Sequence, residues 1–102
     1  MTWPSCVPRW CADDDGGYVN LMPGPGLVRS DIDQNVASLW RYAKAIRLPG
    51  NTFSSMGEGW TPLVPAVWQG QEILMKMDFL MPSGSFKDRG VAVMLNYLKQ
   101  TG

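Results

Sequence analysis

Lys87 stands in the string Pro82-Ser83-Gly84-Ser85-Phe86-Lys87-Asp88-Arg89-Gly90, directly after an alternating apolar run and at the start of a helical pattern. Ser85 and Asp88 have the spacing of a capping box, which puts Lys87 at the second position of the helix. A helix N-terminus carries roughly half a positive charge. It therefore disfavours an ammonium and favours the free amine, and burial acts in the same direction. A free lysine amine attacks carbonyls and forms a Schiff base. The same helix start attracts anions, phosphate included. A phosphorylated aldehyde satisfies both features, and pyridoxal phosphate is the familiar compound carrying that pair of groups. Position alone leaves the alternative open, because many first-turn lysines simply point into water.

The elements that must hold this lysine are legible on either side of it. Glu72 to Phe79 alternates, with Ile73, Met75, Met77 and Phe79 on one face and Glu72, Leu74, Lys76 and Asp78 on the other. That pattern predicts a strand with one buried face. Gln69-Gly70-Gln71 predicts a hairpin turn before it, and Thr61-Pro62-Leu63-Val64 a short extended segment. After Lys87, the residues Val91, Met94, Leu95 and Leu98 form an amphipathic helical stripe, closed by Lys99 and Gly102. Upstream, Ser30 and Asp33 form a second capping box. Apolar positions at Ile32, Val36, Leu39, Trp40, Ala43 and Ile46 predict one helix that Pro49-Gly50 stops. Residues Met1 to Val28 carry turn and breaker signals throughout and read as loop. The acidic triplet Asp13-Asp14-Asp15 lacks the spaced oxygens and closing glutamate of a calcium loop and reads as a solvated turn. The chain thus divides into an irregular segment, 1–29, and a structured segment, 30–102.

Composition narrows the function classes. The 102 residues are enough for one small domain, and 45% apolar with 18% charged residues is not a disordered composition. Nine basic and nine acidic residues balance, which argues against a polyanion-binding surface, so nucleic acid is not an expected partner. No apolar run is long enough to cross a bilayer. The first residues lack an apolar signal core, which points to a cytoplasmic protein. There is no histidine, and Cys6 and Cys11 are the only thiols. A structural zinc site needs four ligands, so no metal is expected, and two reduced cysteines in a loop is the favoured reading over a disulfide.

Ser83-Gly84-Ser85-Phe86-Lys87-Asp88-Arg89-Gly90 resembles the cofactor-lysine motif of fold type II pyridoxal-phosphate enzymes, the tryptophan synthase β-like group. Within that group the chain is most similar to threonine synthases. Leu39-Trp40-Arg41-Tyr42 with Leu48-Pro49, Gly57-Glu58-Gly59-Trp60-Thr61-Pro62-Leu63, and Ile73 to Phe79 resemble three further segments in the same order. The likeness runs from about Ser38 to Gly102. Ser83 stands where the family commonly has threonine, and Cys6 and Cys11 resemble half of the metal-ribbon start of some relatives.

The resemblance implies an α/β fold: the N-terminal part of a fold type II enzyme, with helix, short strands and then the lysine-bearing helix, as an incomplete domain. It implies pyridoxal 5'-phosphate as cofactor, held by Lys87, which then moves protons on the substrate. Phe86 would pack against the cofactor ring, or serve as ordinary core. Ser83, Ser85 and Thr61 would face substrate or phosphate. For Ser85 the other reading is capping, and for Thr61 a turn before Pro62. Asp88 and Arg89 are expected in capping and ion-pair contacts. The implied reaction converts O-phospho-L-homoserine and water to L-threonine and phosphate. The alternatives are another fold type II enzyme, such as a threonine or serine dehydratase or a cysteine synthase-like protein, or a non-catalytic truncated chain. The family's glycine-rich phosphate cup would lie downstream, so the 102 residues are expected to be inactive alone and to associate with the remainder of their own chain or as a homo-oligomer.

Overall fold

The computed structural model describes Thr2, Pro4, Arg9 and residues 11–102. The expectation for Cys6 falls outside these residues. Cys11 is an exposed free thiol, paired through its backbone with Tyr18 in a lone antiparallel bridge. The intervening acidic triplet is a turn, in which Asp15 Oδ1 accepts from Gly17 N at 2.7 Å. From residue 19 to residue 28 the chain has no regular structure, as the breaker signals predict.

The first expected helix is not one helix. Arg29–Asp31 forms a 3-10 turn, Leu39–Tyr42 another, and only Ala43–Ile46, helix α1, is α-helical. Short polar side chains redirect the backbone. Asp31 Oδ2 accepts from Val28 N at 3.1 Å, and its other oxygen binds Lys44 Nζ at 2.8 Å. The cap at this end is therefore Val28, not Ser30. Asp33 Oδ1 accepts from Asn35 N at 2.9 Å, and Asp33 N reaches forward to Arg41 O at 3.0 Å, folding the 33–41 segment back on itself. The serine that does cap is Ser38, whose Oγ accepts from Trp40 N at 3.2 Å. Arg47, at φ 54, terminates α1 in the left-handed region, two residues before Pro49.

Strands β1, Leu63–Trp68, and β2, Gln71–Lys76, form the expected antiparallel hairpin, with Trp68 opposite Gln71 and Leu63 opposite Lys76. Gln69 and Gly70 at the tip both have positive φ, 50 and 77, the pattern of a type I′ turn that matches strand twist. Strand β2 ends sooner than the alternation suggests. Met77 N still bonds Pro62 O, but Asp78–Leu80 is a 3-10 turn. The alternation survives in exposure, Ile73 at 38% against Leu74 at 66%, yet neither face of β2 is buried.

Helix α2, Asp88–Thr101, is the one long helix among the described residues. It begins two residues later than the capping-box reading places it. Asp88 pairs with Ser83, not Ser85: its Oδ2 accepts from Ser83 N at 2.8 Å and its Oδ1 from Ser83 Oγ. Lys87 is consequently the residue before the first helical turn, and its carbonyl accepts from Val91 N at 3.0 Å.

The result is a small mixed α/β domain with two helices and a two-stranded antiparallel sheet. Among the described residues few are buried, and most of their side chains are polar: Trp40 and Met81, with Ser38, Glu58, Thr61 and Asn96, and the backbone of Gly59. The extents are 53 × 32 × 29 Å and the radius of gyration is 17.0 Å, against ~13 Å for a compact chain of this length. Among the described residues no helix is long and apolar enough to cross a membrane.

Candidate functional site

The loop from Met81 to Lys87 delivers the candidate residues. Gly84 N donates to Met81 O at 2.8 Å, and Gly84 sits at φ 76, a conformation glycine adopts without strain. Ser85 Oγ accepts from Lys87 N at 3.3 Å, which orients the backbone of the lysine. The Lys87 side chain is exposed and makes no hydrogen bond or ion pair among the described residues. The neighbouring Phe86 is 65% exposed, with no ring stacked on it.

The helix start offers an anion less than the sequence suggests. Asp88 N is engaged by Ser85 O at 3.2 Å and Arg89 N by Phe86 O at 3.3 Å. Tight turns have satisfied amides that a straight helix would leave open. Asp88 adds a negative charge at the same place. The hydrogen bonds from the Ser83 hydroxyl and amide hold its carboxyl below the ordinary aspartate range. Lys87 therefore fits the aldehyde half of a phosphorylated aldehyde, while the described residues supply no cradle for the phosphate.

Thr61 lies behind the loop and is buried. Its hydroxyl donates to Asp78 Oδ1 at 2.6 Å and accepts from Arg89 Nη2 at 3.1 Å. Arg89 closes the triangle on Asp78 Oδ1 at 3.0 Å. Hydrogen bonds from Arg89 and then Thr61 lower the Asp78 carboxyl below its usual range. This cluster ties the first turn of α2 to the open end of the hairpin, and it occupies the Thr61 hydroxyl. Lys76 Nζ adds a bond to Thr61 O.

A groove of about 360 Å³ opens between α2 and the 54–58 loop. Ser83 and Asp88 line one end, Ser54, Ser55 and Lys99 the other, over an apolar wall that includes Val91 and Leu95. Of the expected cofactor and substrate residues, only Ser83 reaches it; Lys87, Phe86, Ser85 and Thr61 do not.

Two residues of this groove were not singled out in the sequence. Glu58, 3% exposed, accepts from Trp40 Nε1 at 2.6 Å, Met56 N at 2.7 Å and Ser55 Oγ at 3.1 Å. The available signal was a glutamate between two glycines, Gly57 and Gly59, both at positive φ. A Cβ on Gly59 would lie 2.7 Å from Leu39 N, so only glycine permits that approach. Asn96 accepts from Ser54 N at 2.7 Å and donates to Ser54 O at 2.8 Å. Nothing local in the sequence of α2 marks it. No group of acidic or cysteine side chains among the described residues is arranged to hold a metal ion. Comparisons with protein-family models, with curated proteins and with solved structures return no match for this chain.

Proposed function

We propose that this chain carries the cofactor lysine of a pyridoxal-phosphate enzyme of the threonine synthase kind, acting on O-phospho-L-homoserine. What supports the reading is Lys87: an exposed amine without a partner among the described residues, presented on a loop that follows an antiparallel hairpin and runs straight into α2. That strand–loop–lysine–helix order is the one the motif resemblance implies. Lys87 Nζ would hold the cofactor through its aldehyde and then move a proton at the substrate carbon. The bound pyridinium ring supplies an electron sink for that chemistry. Ser85 fixes the lysine backbone, and Asp88 with Ser83 fixes the loop behind it. The Thr61–Asp78–Arg89 cluster sets the angle at which α2 leaves the hairpin. With no phosphate cradle among the described residues, the phosphate is held by groups outside them, and turnover by these 102 residues alone is not expected.

The test is addition of pyridoxal phosphate to the chain, followed by borohydride reduction and peptide mapping. The expected result is an imine absorbance band near the visible edge and a label on Lys87, both lost in Lys87→Ala. A label spread over Lys44, Lys76 and Lys99 with no preference for Lys87 overturns the reading and favours a non-catalytic chain.

A further inference from the structure

Glu58 lines the groove between α2 and the 54–58 loop, is buried, and has no positive side chain paired with it among the described residues. A buried carboxylate is ordinarily paired, because taking its charge out of water is costly. Here three neutral donors hold it instead. Trp40 Nε1 donates to Oε1, while Met56 N and Ser55 Oγ donate to Oε2. An indole N–H and a backbone N–H can only donate, so both oxygens act as acceptors. A carboxylate offers about four acceptor positions. Oε2 is therefore filled, Oε1 keeps one position open, and the charge itself is not balanced.

We propose that this groove binds a primary ammonium carried on a short aliphatic chain, with the ammonium drawn to Glu58 and Asp88 and the chain laid along Val91 and Leu95. Asp88 lines the same groove, and each of its oxygens accepts only one bond, from Ser83. Two negative charges thus border one cavity, and a cation entering it gains more from them than it would in bulk water. The positive charge of the groove, Lys99, is tied to Ser54 Oγ at 2.9 Å. It stands eleven residues along α2 from Asp88, about 16 Å by helix rise. The remaining wall is apolar and suits methylene groups. A volume of about 360 Å³ is that of a small-molecule site.

The arrangement of acceptors selects among cations. A primary ammonium presents three N–H donors that can take single, separate acceptors. The open position on Glu58, those on Asp88 and the Ser83 hydroxyl are of that kind. A guanidinium prefers both oxygens of one carboxylate side by side, and Oε2 of Glu58 is already taken twice. A quaternary ammonium is held by aromatic faces, and no aromatic side chain lines the groove. No set of side chains among the described residues is arranged for a metal ion. Lys87 does not line the groove, so this inference does not depend on its chemistry.

The test is titration of the full chain with n-butylammonium chloride at neutral pH, followed by NMR of its amide and indole N–H groups. Saturable shifts are expected at Trp40 Nε1–H, Met56 N–H and Ser83 N–H, the donors to the two carboxylates, and added sodium chloride is expected to weaken the binding. The uncharged n-butanol is expected to bind about tenfold more weakly or worse, and tetramethylammonium likewise. Glu58→Gln keeps the size and one acceptor oxygen but removes the charge, and is expected to weaken n-butylammonium by a similar factor. The comparison with n-butanol is made on the unaltered chain and decides the question even where Glu58→Gln does not fold. Absence of saturable shifts overturns the proposal. So does n-butanol binding as tightly as n-butylammonium, or shifts confined to exposed acidic residues such as Asp13 to Asp15. Shifts at the groove that follow chain concentration with no amine present would assign it to a second copy and overturn the proposal too.

Discussion

The irregular half of this molecule is the better packed half. Between residues 38 and 61 there is a 3-10 turn, the four-residue α1 and no strand, yet here lie Ser38, Trp40, Glu58, Gly59 and Thr61, five of the seven buried residues among those described. Trp40 stacks on Phe53 with ring centroids 4.3 Å apart and planes 3° off parallel. Its indole N–H is held by Glu58, and the 50–54 stretch is stapled to α2 by Asn96, Lys99 and Gln100. The hairpin and the apolar stripe of α2 are the most regular parts. They leave Val67, Trp68, Leu74 and Leu95 more than half exposed. Regular backbone needs only local hydrogen bonds, whereas burial needs a second surface to meet. In the 38–61 segment the partner surface is in the chain and is reached through side-chain bonds to backbone. For the hairpin it is not among the described residues.

That contrast can be broken most directly at Trp40. Trp40→Ala is expected to cost about 3–5 kcal/mol, because it removes a buried stacked ring and leaves Glu58 without its indole donor. Urea unfolding measures this, and a loss below 1 kcal/mol on the same scale would show that the cluster is not the stabilising centre. Asn96→Ala is expected to cost about 1–3 kcal/mol, since Ser54 N and O lose their partners together. Faster amide exchange at Ser54, with the rest of α2 unchanged, would sharpen the assignment of that cost to the staple. Val67→Ser, at a position 71% exposed on the hairpin, is expected to change stability by no more than about 0.5 kcal/mol. A large loss there would mean that the hairpin face is covered in solution.

The elements split along the same line in how far they were legible. The hairpin was readable because Gln69-Gly70 and the period-two alternation are local signals that act within a few residues. The body of α2 was readable for the same reason. Its start was misplaced because two serines, Ser83 and Ser85, could each serve Asp88, and only the turn at Gly84 decides between them. The helix expected from Ser30 failed because its apolar spacing was right but its aspartates were not neutral bystanders. Asp31 and Asp33 bond to the backbone in ways that end a helix, and Lys44 holds the Asp31 carboxyl below its ordinary range in that position. Around the groove and its loop, the motif singled out Lys87 and Ser83, while Glu58, inside a second resembling segment, and Asn96 were given no role. Their roles depend on partners 18 and 42 residues away.

By itself the sequence determined the local chemistry: a lysine between a strand and a helix, and a two-residue hairpin turn. The tertiary structure alone decided which polar groups become buried and that Thr61 is committed to Asp78 and Arg89. The physical reason is range. Turn preference, periodicity and capping are settled among neighbours in the chain, whereas desolvation and hydrogen-bond satisfaction depend on which distant segment arrives to exclude water.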